Sequence, residues 1–180
     1  MVAAFDLFQD ALGWVLAVAR DGRLAWLGHT PDRDGAERSR ARWWPDAVHD
    51  PEALPLPEVR RQLDEYLAGR RRDFDLPLDP RGTEFQRLCW QALQAIPYGE
   101  TRSYGQQART VGRPEAARAV GMANHDNPIG VIIPCHRVIG ANGSLTGYAG
   151  GLDMKRKLLE LEGVLPRALP GILPGVETPG

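Results

Sequence analysis

The chain has 180 residues, 43% apolar and 25% charged, which suits one medium or two small soluble domains and excludes a fibrous repeat or wholesale disorder. Two cysteines, Cys89 and Cys135, are too few for a disulfide framework, so a reducing cytoplasm is expected. The net charge of −1 speaks against a polyanion partner until it is split: residues 1–79 sum to −4 and residues 80–180 to +3.

The apolar run Trp14–Ala19 follows Asp6 and Asp10 with no basic stretch before it, and no run reaches membrane-spanning length. Neither a signal peptide nor a membrane contact is expected. Two apolar segments, Gly13–Ala19 and Leu24–Leu27, flank Asp21-Gly22 and predict a β-hairpin. Residues 30–57, rich in Pro, Asp and Arg, read as irregular, with Trp43-Trp44 as packing residues or a ligand platform. Val59, Leu63, Tyr66 and Leu67 make one stripe of a helix over Glu58–Ala68, stopped by Gly69. Asp73–Pro80 alternates acids with Leu and Pro, as a linker or a sheet edge would, and marks a boundary at residue 79.

Thr83-Glu84-Phe85-Gln86 is a capping box, opening a helix whose Phe85, Leu88, Cys89, Ala92, Leu93 and Ile96 share a face. That makes Cys89 a core residue. A second box, Ser103–Gln106, starts a short helix to about Val111. Pro114 then suits the first turn of another helix, Glu115–Asn124, presenting Ala116, Ala117, Ala119 and Ala123 around Arg118. Such a pair reads either as a helix-turn-helix with a small-residue face that lets a groove approach, or as tight helix packing. Between Thr101 and Lys157 eight basic residues face three acids, an excess of +5.

Ile129–Ile133 is an apolar, strand-like run ended by Pro134, which places Cys135 at a turn. A reactive cysteine needs a base or a positive field, and His136 and Arg137 follow directly. The alternative is a buried structural cysteine. The four histidines and two cysteines show no ligand spacing, so no metal is expected. Gly140–Gly151 carries five glycines and Tyr148, a loop able to hug a planar ligand or merely connect. A last helix runs from about Asp153 to Glu162. An acid at that end opposes the helix dipole, which suggests a partner such as His136. Residues 165–180, rich in Pro and Gly, read as a flexible tail.

Over Gly82–Gly163 the chain resembles the O6-alkylguanine-DNA alkyltransferases, through Gly82–Gln86, Ile96–Thr101, Ala116–Gly121 and above all Ile133-Pro134-Cys135-His136-Arg137-Val138-Ile139-Gly140. The resemblance implies an α+β fold. A small N-terminal α/β scaffold domain (1–79) with a hairpin sheet would precede a mainly helical DNA-binding and alkyl-transfer domain (80–164) with a helix-turn-helix. It implies a single-turnover repair protein acting on alkylated double-stranded DNA without a cofactor, as a monomer, with clustering along DNA left open. Cys135 would be the acceptor, His136 its base through a water, Glu162 the support of the imidazolium, Asn127 the brace of the turn and Tyr104 a donor to the guanine. Arg118 would fill the gap left by the flipped base. Ala116, Ala117, Ser103 and Arg137 would meet DNA, and Val138, Tyr148, Ala149 and Gly150 would line the base pocket. Rival readings are a damage sensor without transfer, a cysteine hydrolase, and a regulator reading a defined sequence.

Overall fold

The computed structural model describes residues 1–167, so most of the expected tail lies outside the described residues. Three antiparallel strands open the chain: β1 (Ala4–Asp10), β2 (Gly13–Arg20) and β3 (Arg23–Thr30). Asp21 and Gly22 close the β2–β3 hairpin, both at positive φ (53° and 72°), the geometry of a tight hairpin turn. A two-residue strand, β4 (Val48–His49), adds in parallel to give the order β3-β2-β1-β4. β1 escaped the sequence reading because Asp6 interrupts its apolar pattern. That carboxylate is nonetheless buried, bound by Arg60.

The expected irregular stretch contains a helix, α1 (Arg33–Trp43). Asp32 caps it by accepting from the Gly35 N–H (2.7 Å). Its sequence lacks an apolar stripe, Ala36 being its one buried residue, so periodicity could not reveal it. The tryptophan pair at its end divides: Trp44 packs against the sheet with Phe5, Leu16 and Val18, while Trp43 remains 55% exposed. α2 (Leu56–Leu67) buries Val59, Leu63 and Tyr66 as its stripe predicts.

The outer edge of β3 joins the two halves of the chain. Leu24 N–H donates to Pro77 O, and Asp79 N–H to Leu24 O, both at 2.8 Å, so residues 77–79 of the 73–80 segment bridge to the sheet edge. Further along, Leu27 N–H donates to Pro128 O and Gly130 N–H to Leu27 O, both at 2.9 Å. One apolar core then runs from Val15, Leu24, Leu27 and Leu63 to Trp90, Leu93, Ile133 and Leu158.

Both capping boxes form: Thr83 and Gln86 start α3 (Glu84–Gln94), and Ser103 and Gln106 start α4 (Tyr104–Thr110). The buried face of α3 is Cys89, Trp90 and Leu93, whereas Leu88, expected inside, is 40% exposed. Trp90 displaces it because its indole N–H reaches the Ala123 carbonyl (2.8 Å). α5 (Ala117–His125) begins later than expected, so Pro114 lies in the preceding turn, not in the first helical position. Ala123 points into the core at 3% exposure, between α3 and α5, and is not on the exposed face. α6 (Leu152–Leu161) ends the described fold.

Candidate functional site

Positioning begins at β3. The Pro128–Gly130 segment, hydrogen-bonded to that strand's edge, makes a single bridge at Ile129 and no continuous strand to Ile133. The chain instead turns, with Ile132 N–H donating to Gly130 O (2.8 Å) and Ile133 N–H to Ile129 O (3.0 Å). This forces Val131 to a φ of 68°, a conformation costing a β-branched residue roughly 1–3 kcal/mol. Asn127 holds the turn from inside: its amide donates to Ile133 O (2.8 Å) and its carbonyl accepts from Ile129 N–H (3.0 Å). A short 3-10 turn, Cys135–Arg137, follows and runs into β6 (Val138–Ile139). β6 pairs in parallel with β5 (Arg102–Ser103), which leads directly into α4. The turn bearing Cys135 is thus tied to the N-terminal sheet on one side and to the helix pair on the other.

Cys135 is partly exposed, in a cleft of about 540 Å³ that Asn127, Gly130, Tyr148, Ala149, Gly150 and Met154 also line. Burial pushes its thiol pKa up, opposed by the Asn127 amide and the Lys155 ammonium. Cys89 is fully buried and away from this cleft. A Cβ on Gly150 would stand 2.7 Å from Met154 Sδ and 3.0 Å from Tyr148 Cε1, so a side chain here would have to push Met154 aside.

His136 is fully buried, its Nε2 2.9 Å from Glu162 Oε1, while its Nδ1 has no hydrogen-bond partner among the described residues. Burial lowers its pKa, against the pull of Glu162, so the ring is neutral at pH 7. Glu162, the C-cap of α6, resists desolvation because His136 and Arg137 bind it, and its pKa falls to about 2. Tyr66 of α2 donates to the same carboxylate (Oη to Oε1, 2.8 Å), a contact from the N-terminal half that the sequence reading missed. The one signal for it was an unpaired phenol on a buried stripe, which needs an acceptor somewhere.

Arg137, expected on the DNA face, is 7% exposed. Its Nε and Nη2 bind Glu162 (3.0 and 2.7 Å) and its Nη1 donates to Ile96 O (2.7 Å). A guanidinium locked to a buried carboxylate is not available to phosphate. Lys155 was counted in the basic surface and is also fully buried, its Nζ donating to Val138 O (2.6 Å) and Thr146 O (2.8 Å). Desolvation lowers its pKa to about 8. With these two removed, six basic residues of the 101–157 window face three acids.

Tyr104, at the start of α4, does not line the cleft; its hydroxyl donates to Thr146 O (3.0 Å) and holds the glycine-rich loop. Nor does Val138, whose N–H donates to Cys135 O and whose carbonyl is taken by Lys155. Ser103 uses its hydroxyl as a helix cap (3.1 Å from Gln106 N). α4 and α5 are locked by a buried reciprocal amide pair, Gln107–Asn124 (2.9 and 2.8 Å). Ala116 and Ala117 form the start of α5, and Arg118 projects outward with no salt bridge among the described residues. One turn on, Met122 is 60% exposed on the same face. Among the described residues no group of three or more His, Cys, Asp or Glu is placed to hold a metal, and no helix is long and apolar enough to cross a membrane.

Residues 84–164 match the family model of the 6-O-methylguanine DNA methyltransferase DNA-binding domain, and residues 15–80 that of the same family's ribonuclease-like domain. A methylated-DNA–protein-cysteine methyltransferase of Methanosarcina acetivorans is 62% identical over 159 residues, 88% of this chain and 97% of the relative. Among solved structures, the O6-methylguanine methyltransferase of Mycobacterium tuberculosis is 44% identical, with a TM-score of 0.77 over 93% of this chain and 97% of that one. The M. tuberculosis OGT in complex with DNA is 46% identical with a TM-score of 0.78, covering 88% and 92% of the two chains.

Proposed function

The chain belongs to the 6-O-methylguanine DNA methyltransferase family, and from that premise we propose that Cys135 itself accepts an alkyl group from O6 of guanine in duplex DNA. The protein is a DNA repair methyltransferase, consumed by its own reaction. The observation that carries the assignment to Cys135 is the buried relay Glu162–His136, which ends in an Nδ1 with no partner among the described residues, on the residue that directly follows a cysteine lining the cleft.

The raised thiol pKa keeps Cys135 protonated and inert at rest. With Nε2–H directed at Glu162, Nδ1 is the basic nitrogen, reaching the thiol through a water. Arg137 already neutralises Glu162, so the resting ring is uncharged and turns cationic only as it takes the thiol proton. The sulfur then displaces guanine from the alkyl carbon: an S–C bond forms and the C–O6 bond breaks. The departing guanine anion recovers the proton that His136 carried. The thioether carries no activated leaving group comparable to guanine, so the alkyl group stays on sulfur and the reaction is stoichiometric.

O6 inside a duplex is out of reach of such a cleft, so the nucleotide must leave the stack. Arg118, exposed on α5 with no salt bridge among the described residues, fills the gap, with Ala116 and Ala117 allowing the helix to approach the groove. Tyr148, Ala149 and Gly150 receive the base, and Tyr104 serves by fixing the loop that carries them. A division at residue 79 assigns the sheet half to support and the helical half to DNA.

Cys135→Ala should abolish transfer while duplex binding stays within about threefold, and Cys89→Ala should leave transfer nearly intact. Loss of transfer in the Cys89 variant, with the fold retained, would move the acceptor from Cys135 to Cys89.

A further inference from the structure

α5 buries one face and shows the other. Val120, Ala123 and Asn124 point into the fold, while Arg118, Ala119, Met122 and His125 are exposed. At about 100° per residue, Arg118, Met122 and His125 fall within roughly 60° of one another, on the far side of the helix from the buried residues. A stripe so placed is normally polar or charged, and Arg118 and His125 conform. Met122 does not: it is 60% exposed and is the one large apolar side chain on that face of α5. It stands one turn, about 6 Å, beyond Arg118, so a surface that takes the guanidinium meets the thioether as well. One methionine is too small to seat a second copy of the chain, which needs about 800 Å² on each partner. A duplex opened by a flipped nucleotide is a better match, because an unstacked base presents a bare π-face and a thioether packs well on it. Nor is Met122 among the described residues that line the cleft of Cys135.

We propose that Met122 is a second wedge of the DNA face, packing on the base pair left unstacked beside the gap that Arg118 fills and so slowing the return of the flipped nucleotide. The inference rests on the reading of α5 as the helix that meets duplex DNA, and deepens it by giving the two side chains separate tasks. Arg118 occupies the vacated place with a charged group. Met122 shields the neighbouring base face from water, as apolar side chains do where they enter opened base steps. It touches neither the alkyl carbon nor the sulfur, and acts on the reaction through the duplex as a positioning residue. Its contact involves no phosphate, so it adds nothing to the salt dependence of binding.

The test uses the full chain and one oligonucleotide sequence bearing O6-methylguanine, presented as duplex and as single strand, with single-turnover transfer followed by intact mass. Because Met122 is exposed and alanine favours a helix, Met122→Ala should melt at the parent temperature. It should slow transfer from the duplex about five- to tenfold and from the single strand less than twofold. Met122→Leu, which keeps an apolar side chain of similar volume, should restore the duplex rate to within about twofold, and Met122→Gln, similar in length but polar, should not. A 2-aminopurine placed next to the lesion should brighten when the parent protein binds and brighten less with Met122→Ala, while the slope of log affinity against log salt stays the same for both. A loss equal on duplex and single strand, no loss on the duplex, or a Met122→Gln variant as fast as the parent overturns the wedge. So does a parent protein that is dimeric without DNA and monomeric as Met122→Ala, which gives the face to a second copy. A parent protein that repairs the single strand but neither binds nor repairs the duplex overturns instead the reading of α5 on which the wedge rests.

Discussion

Glu162 accepts from three side chains that come from different parts of the chain: Tyr66, His136 and Arg137. Two of them are neutral and one is charged, so the carboxylate is balanced before any reaction starts. Because His136 titrates below its ordinary range, the transfer rate should stay level from neutral to mildly acidic pH and fall only below about pH 6.5. Removing the Tyr66 hydroxyl leaves Glu162 freer to attract a proton onto His136. Tyr66→Phe should therefore shift the acid limb of the pH–rate profile upward and slow transfer by up to about tenfold at pH 7; an unmoved limb would reduce Tyr66 to packing. Glu162 has the opposite titration. Its folded pKa of about 2 lies below the unfolded value of 4.5, so its contribution is complete above pH 4.5 and is lost as pH falls towards 2. That contribution is on the order of 3 kcal/mol, and Glu162→Gln should flatten this part of an acid-unfolding curve. At this scale the contact of His136 with Glu162 and the place of Cys135 at a turn lining a cleft were legible from residue chemistry and the motif around them. Arg137 and Lys155 were not, because a basic side chain is a surface residue by default and only a buried acceptor reverses that.

Among the elements, the helix pair and the glycine-rich loop depend on polar contacts of different kinds. α4 and α5 are fixed by the Gln107–Asn124 pair, and replacing Asn124 by Ala strands a buried amide at a cost of about 1–3 kcal/mol. Duplex binding should weaken with it, since Arg118 is carried on the same helix. The loop is held at Thr146 O by both Lys155 and Tyr104. Lys155→Met should speed amide exchange across residues 143–150 while leaving α4 and α5 protected; unchanged exchange there would mean the loop holds itself. Capping boxes announced α3 and α4 because they are local, four-residue signals. α1 was invisible because its capping Asp32 precedes a polar segment with no buried stripe, and β1 because the charge of Asp6 is met by Arg60 and His49, both far along the chain. The Leu88-for-Trp90 error on α3 has the same origin: Ala123 O, the acceptor that draws Trp90 inward, lies on another helix.

For the molecule as a whole, the small net charge conceals a division of charge that the folded chain both keeps and narrows. The sheet half is acidic and the helical half basic, yet burial of Arg137 and Lys155 leaves fewer cations for phosphate than the sequence count suggests. Duplex affinity should still fall linearly in log–log form with salt, by about 0.9 per phosphate contact, and Arg118→Ala should hinder transfer in duplex more than transfer from a free base. The two halves share one core, meet along β3, and both reach the reaction centre, the first through Tyr66 and the wall of the cleft. No sequence pattern announces such a junction, because its contacts join residues dozens of positions apart. The most direct test of the account is the intact mass of the protein after incubation with excess O6-methylguanine duplex. The account predicts a gain of one methyl group per chain, located on Cys135 by peptide mapping, with repair stopping at one lesion per molecule. An unmodified protein, a methyl group on another residue, or repeated turnover would contradict it.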